Sequence, residues 1–84
     1  MAMFMSDDIH DVLDRIEINP RKLGGKPVIR GTRIPVTLIL ELLAAGMSFE
    51  DIKREYPGLT DDDIRAALIY ARLVLEGEEI LAMT

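Results

Sequence analysis

Gly24-Gly25-Lys26-Pro27-Val28-Ile29-Arg30-Gly31-Thr32-Arg33-Ile34-Pro35 is the stretch on which the fold turns. Val28 to Ile34 reads as a tight hairpin, because Gly31 at the first turn position permits a type II′ turn. With a two-residue loop, Ile29 faces Ile34 on one side and Arg30 faces Arg33 on the other. Two like charges directly opposed are unfavourable in an isolated hairpin. A bound anion would relieve that opposition, and so would Glu17 on a neighbouring strand. Both remain open at this point.

Downstream of Pro35 the pattern turns helical. Val36 to Ala45 carries only Thr37 and Glu41 as polar positions, so a helix here is buried on several sides or packs on another subunit. Gly46 terminates it. Ser48-Phe49-Glu50-Asp51 is a capping signal for a second helix, whose stripe is Phe49, Ile52 and Tyr56 and which stops at Pro57-Gly58. Thr60-Asp61-Asp62-Asp63 caps a third. Ile64, Ala67, Leu68, Ala71 and Leu75 make its expected core face, and Ile69, Tyr70 and Leu73 form a surplus face suited to self-association or a partner. The alternative cover for that surplus is the N-terminal helix or the hairpin. Three helices with a four-residue link before the third have helix-turn-helix spacing.

Upstream, Ser6 to Ile16 reads as a short amphipathic helix with Ile9, Val12, Leu13 and Ile16 on one stripe. Arg15 to Asn19 alternates like a strand, and Pro20 ends it. Lys22 to Lys26 is a loop. The resulting organisation is an extension over 1–14, a domain over 15–75 and a tail over 76–84. Within the domain, strands and the basic loop occupy 15–35 and three helices occupy 36–75.

The chain has 84 residues and a net charge of −5, with 49% hydrophobic residues and no Cys. The hydrophobic share excludes a disordered acidic tail. Zero Cys removes thiol catalysis, disulfides and Cys-based zinc sites. A domain this small is marginally stable alone, which favours oligomerisation or a partner. The net charge hides a partition. Residues 21–35 hold five bases and no acid, against net charges of −4 over 1–20 and −6 over 36–84. A glycine-punctuated basic segment can approach a phosphate backbone closely. The competing reading pairs those bases with the acidic remainder.

Several chemistries are excluded. No apolar run approaches the roughly 20 residues of a membrane span. Met1 to Ser6 lacks a basic flank, so no secretion signal is expected and a cytoplasmic protein is. Gly25-Lys26 is not a P-loop, because Pro27 stands where Ser or Thr would bind magnesium. His10 has no companion ligand, so no metal and no cofactor are expected. Asp61, Asp62 and Asp63 occupy consecutive helical positions and diverge rather than converge on one ion. Ser6, Ser48 and Thr60 act as caps, leaving no activated nucleophile and no catalytic residues.

Asn19-Pro20, the Gly24–Ile34 run, Ala45-Gly46, Tyr56-Pro57, Leu59-Thr60, Asp63-Ile64, Ala67-Leu68 and Tyr70-Ala71 closely resemble domain-of-unknown-function family 433. The likeness covers about residues 15 to 72. It implies a mainly α fold with a small β-hairpin, a homeodomain-like or winged helix-turn-helix three-helix domain. It also implies kinship with VapB-type antitoxins, which bind a PIN-like ribonuclease toxin and their own promoter DNA.

One feature conflicts with ordinary helix-turn-helix readout. A recognition helix touches bases with its N-terminal residues, and here these are Asp61, Asp62 and Asp63. DNA contact is therefore expected through Arg21, Lys22, Lys26, Arg30 and Arg33, carried on paired β-ribbons of a dimer. The toxin contact is expected in the tail, with Glu78 and Glu79 entering a basic cleft and Ile80, Leu81 and Met83 as apolar anchors. The alternative is a tail packed on its own domain. Leu38, Leu42, Ile69, Tyr70 and Leu73 are expected at a homodimer interface. The rival function is an oligomeric protein-interaction module without a nucleic-acid role.

Overall fold

The computed structural model describes residues 10, 12 and 14–77. Its elements are β1 (Ile16–Glu17), a single 3-10 turn (Leu23–Gly25), β2 (Val28–Ile29), α1 (Val36–Ala44), α2 (Phe49–Glu55) and α3 (Asp61–Glu76). The chain is mainly helical, with a small antiparallel sheet that sets Ile16 opposite Ile29 and Glu17 opposite Val28. His10, Val12, Asp14 and Arg15 are helical, but the helix expected over 6–16 ends at Arg15, because Ile16 pairs with Ile29 in β1; its other residues before Asp14 lie outside the described set.

Each helix end has an identifiable local cause. Ser48 Oγ accepts from Asp51 N at 3.0 Å, and the Asp51 carboxylate accepts from Ser48 N at 3.0 Å. Thr60 and Asp63 repeat this reciprocal cap at 3.1 and 3.0 Å. Such pairs satisfy amide donors that the first helical turn leaves unbonded. At the end of α1, Gly46 adopts φ +96, while its N–H donates to Leu43 O and the Met47 N–H donates to Leu42 O. This is a Schellman closure, and it needs a residue that tolerates left-handed backbone. At the start of α1, Val36 N donates to Pro27 O at 2.9 Å, tying the helix to the strand region.

The core is built from Ile16, Ile29, Val36, Ile39, Ile52, Leu59, Ile64, Ala66 and Ala67. Ile39, Ile52 and Ile64 are completely buried, which at about 1.5–3 kcal/mol per side chain makes this cluster the main source of stability. α3 packs against α1, α2 and β1. Contact on three sides buries a wider and rotated arc of α3 than a single stripe would require. Two expectations are corrected on that account. Leu68 and Leu75, read as core, are 40% and 83% exposed, whereas Ile69, read as surplus, is 8% exposed. Ala66 and Ala67, both fully buried, take the inner positions because their small side chains admit close helix approach.

The turn after β2 also differs from the expected two-residue hairpin. Ile29 N does donate to Ile34 O at 2.9 Å, so these two isoleucines face each other as read. The loop between them spans four residues. Thr32 N donates to Ile29 O at 3.0 Å, and Gly31 has φ +81 at the third position of that turn, a type II signature. Thr32 Oγ1 donates to Ile29 O and accepts from Ile34 N, closing the loop with a side chain. Arg30 N is already committed to Arg15 O across the sheet. Arg30 and Arg33 therefore do not oppose each other as a cross-strand pair.

Candidate nucleic-acid interface

The basic segment is displayed on two loops, 18–27 and 30–33, rather than on a β-ribbon, because the paired strands are only two residues long. Asn19 lies near the start of the first loop. Its carbonyl accepts from Lys22 N at 2.8 Å, and its side-chain oxygen accepts from Arg21 N at 2.9 Å. The chain then runs through a left-handed turn, with φ +50 at Leu23, +67 at Gly24 and +87 at Gly25. Gly25 N donates to Lys22 O and Lys26 N to Leu23 O. The two glycines take this conformation freely, but a residue with a Cβ pays about 1–2 kcal/mol for it. Leu23 is 40% exposed.

Glu17 locks the two loops together. Its Oε1 accepts from Lys22 Nζ at 3.1 Å and from Gly31 N at 3.4 Å. Lys22 Nζ also donates to Thr32 O at 3.5 Å. The Lys22 ammonium, aided by the Gly31 amide, holds the Glu17 carboxyl below the ordinary glutamate range. Of the two open sources of neutralisation, Glu17 is present, and it serves Lys22.

Arg30 has a different duty. Nε donates to Asp14 O at 2.8 Å, and an NH2 group donates to Ile16 O at 3.0 Å. A guanidinium on carbonyls where helical residues give way to β1 is favourable for both hydrogen bonding and the helix dipole. Outside the basic segment, described bases meet acids. Arg15 reaches Asp63 at 3.1 Å and Asp62 at 3.6 Å. Lys53 lies 2.8 Å from Asp61 and 3.0 Å from Glu50, which together raise its pKa, Asp61 most. Arg54 pairs with Asp51, Arg65 with Asp62 and Arg72 with Glu76. The three carboxylates at the start of α3 are thus each met by a cation, with Arg15 shared between Asp62 and Asp63.

Against that background, Arg21, Lys26 and Arg33 are exposed, and none has an acidic partner among the described residues. Of the five expected DNA-contact residues, Arg30 is exposed as well, but its guanidinium is bonded to backbone carbonyls. Lys22 and Arg30 hold the loops in place.

The expected interface residues scatter. Ile69 is buried inside the chain, Leu42 and Tyr70 pack partly on the core, and Leu38 and Leu73 are half-buried. An apolar groove of about 270 Å³ lies between α1 and α3, lined among others by Pro27, Val36, Leu40, Tyr70, Val74 and Leu75. Burial beside it pushes the Tyr70 phenol up. The groove and the left-handed Leu23 were missed in the sequence reading. The only local signal for Leu23 was its place before Gly24-Gly25. Glu78, Glu79, Ile80, Leu81 and Met83 lie outside the described residues, as does the whole tail beyond Gly77. Among the described residues, no helix is long and apolar enough to cross a membrane.

Comparison with known proteins gives consistent results. Residues 16–71 match the model of the family described as "Protein of unknown function (DUF433)". The uncharacterized protein y4eO of Sinorhizobium fredii is 42% identical over 65 residues, which are 77% of this chain but 29% of that protein. This chain therefore spans less than a third of the relative's length. A crystal structure of a DUF433 member from Anabaena variabilis superposes with a TM-score of 0.65 at 28% identity, covering 98% of this chain and 79% of that one. With residues 16–71 matched by the family model and the fold shared with a solved member, the chain belongs to the DUF433 family.

Proposed function

We propose that this chain is a non-catalytic DNA-binding regulator of the antitoxin type, acting as a homodimer with a helix-turn-helix core. The observation that carries the reading is the distribution of charge. Arg21, Lys26 and Arg33 stand exposed on loops joined by Glu17 and Lys22, while the described bases of the three helices meet acids. A net-acidic protein with three cations on adjoining loops that meet no acid among the described residues offers a surface for phosphates. The acids that open α3 are engaged by Arg15, Lys53 and Arg65. DNA is therefore held by the loops rather than by that helix start. The partner protein is a PIN-like ribonuclease toxin with a basic cleft, met by the acidic and apolar tail over 78–84.

The test is an electrophoretic shift with the DNA upstream of the protein's own coding sequence. The wild-type chain shifts it, and the R21E/K26E/R33E variant does not. Equal shifts by both chains defeat the reading. Co-purification with the product of the adjacent gene tests the toxin half.

A second reading, an oligomeric protein-interaction module, is favoured by two observations. The apolar groove between α1 and α3 is open, and in y4eO the matched region is a minor part of a longer chain. Under that reading the charge-reversed variant changes nothing, while Leu40→Lys in the groove dissociates the assembly.

A further inference from the structure

Leu23 holds a conformation that a leucine adopts at a penalty, and it is 40% exposed. Glycine or asparagine would sit at φ +50 with less strain. Strain kept at an exposed position points to a use for the side chain outside the chain itself. Its surroundings indicate the use. Arg21 and Lys26 flank the turn, and the Lys22 bond to Thr32 O brings the loop of Arg33 alongside. An apolar side chain on a turn closed by backbone hydrogen bonds, with Arg21 and Lys26 beside it in the chain and without acidic partners among the described residues, suits a duplex better than an apolar protein surface. The cations take phosphates on either side, and the apolar tip enters between base steps. Gly24, immediately after it, would meet nothing within 4 Å if it carried a Cβ, so the backbone there is open to close approach.

We propose that Leu23 is a wedge that partly unstacks a base step of the bound DNA, with Arg21, Lys26 and Arg33 holding the phosphates around it. This rests on the nucleic-acid reading above. Wedge insertion contributes sequence preference through the ease of unstacking and adds nothing to counterion release.

The experiment uses the full chain and short duplexes from the DNA upstream of its coding sequence, with 2-aminopurine placed at successive steps. Wild-type binding raises the fluorescence at one step. Leu23→Asn, which accommodates the left-handed backbone, weakens binding about tenfold. It also abolishes the fluorescence rise and leaves the slope of affinity against salt unchanged. Leu23→Met, still apolar, retains the rise. Wild-type binding with no rise at any step overturns the inference, whatever the folding of the variants. So does Leu23→Asn binding like wild type, and both results leave the nucleic-acid reading standing. If Leu23→Asn keeps DNA binding but loses the adjacent-gene product in co-purification, the turn is a protein contact and the wedge fails. Absence of salt-sensitive wild-type binding to any duplex overturns both readings together.

Discussion

Arg30 Nε donates to the carbonyl oxygen of Asp14 at 2.8 Å, so an arginine that stays exposed is also tied to the backbone. A second donor of the same guanidinium reaches Ile16 O at 3.0 Å. One side chain thus fastens the turn after β2 to the start of β1 and to the helical residues before it. Arg30→Ala is expected to destabilise the fold by about 1.5–3 kcal/mol, the range for hydrogen bonds to charged groups. Arg33→Ala is expected to stay within about 0.5 kcal/mol, as for surface changes away from special features. Urea unfolding of the two variants checks this, and an equal effect would show that Arg30 is as dispensable to the fold as Arg33.

Asp63 and Asp62 are neighbours at the start of α3 with unequal duties. The Asp63 carboxylate accepts from Thr60 N at 3.0 Å and meets Arg15 at 3.1 Å, and the residue is 9% exposed. Asp62 pairs with Arg65 on the exposed helix surface and lies 3.6 Å from Arg15. Asp63→Ala is expected to cost about 2 kcal/mol, from a lost cap and an Arg15 left half-buried without its nearer partner. Asp62→Ala is expected to cost under about 0.5 kcal/mol, as exposed pairs do. Calorimetric melting of the two variants should separate them clearly.

Gly46 at φ +96 offers a purely conformational test. A Cβ there would meet nothing within 4 Å, so no clash contributes. Gly46→Ala is expected to lower stability by about 1–2 kcal/mol through the left-handed backbone alone. A neutral result would mean that α1 can end without the Schellman closure.

These three sites differ in how far they could be read in advance. The caps at Ser48/Asp51 and Thr60/Asp63 and the stop at Gly46 depend on bonds three to five residues apart, so the sequence pattern contains both partners. The duty of Arg30 depends on β1, fourteen or more residues away, and no local rule foretells that its backbone is already bonded to Arg15 O. The face of α3 was likewise misread at Leu68, Ile69 and Leu75, because which arc is buried is decided by α1, α2 and β1 together. For the candidate site, the basic segment was evident from charge alone. Its division into Lys22 and Arg30, which brace, and Arg21, Lys26 and Arg33, which are exposed without acidic partners among the described residues, was not.

The Glu17 carboxyl predicts a pH dependence. Its pKa in the folded chain is lowered by Lys22 and by the Gly31 amide. A lowered carboxyl stabilises the fold above its unfolded value of about 4.3, and that contribution fades as pH falls through the lower folded value. Asp51, lowered mainly by the Ser48 amide, acts in the same direction. The melting temperature is expected to hold between neutral pH and about 5, then to fall on further acidification. Glu17→Gln should lower it at neutral pH and shallow the acid fall. An unchanged acid limb in that variant would remove Glu17 from the account.

The central claim is that Arg21, Lys26 and Arg33 form a phosphate-binding face. Its most direct test is the salt dependence of binding to the DNA upstream of the coding sequence, followed by fluorescence anisotropy. Each phosphate neutralised on duplex DNA contributes about −0.9 to the slope of log affinity against log salt. Reversal of the three charges is expected to flatten the wild-type slope by about 2.7 per chain and to abolish specific binding, with the melting temperature preserved. A folded triple variant that binds with the wild-type slope would contradict the claim.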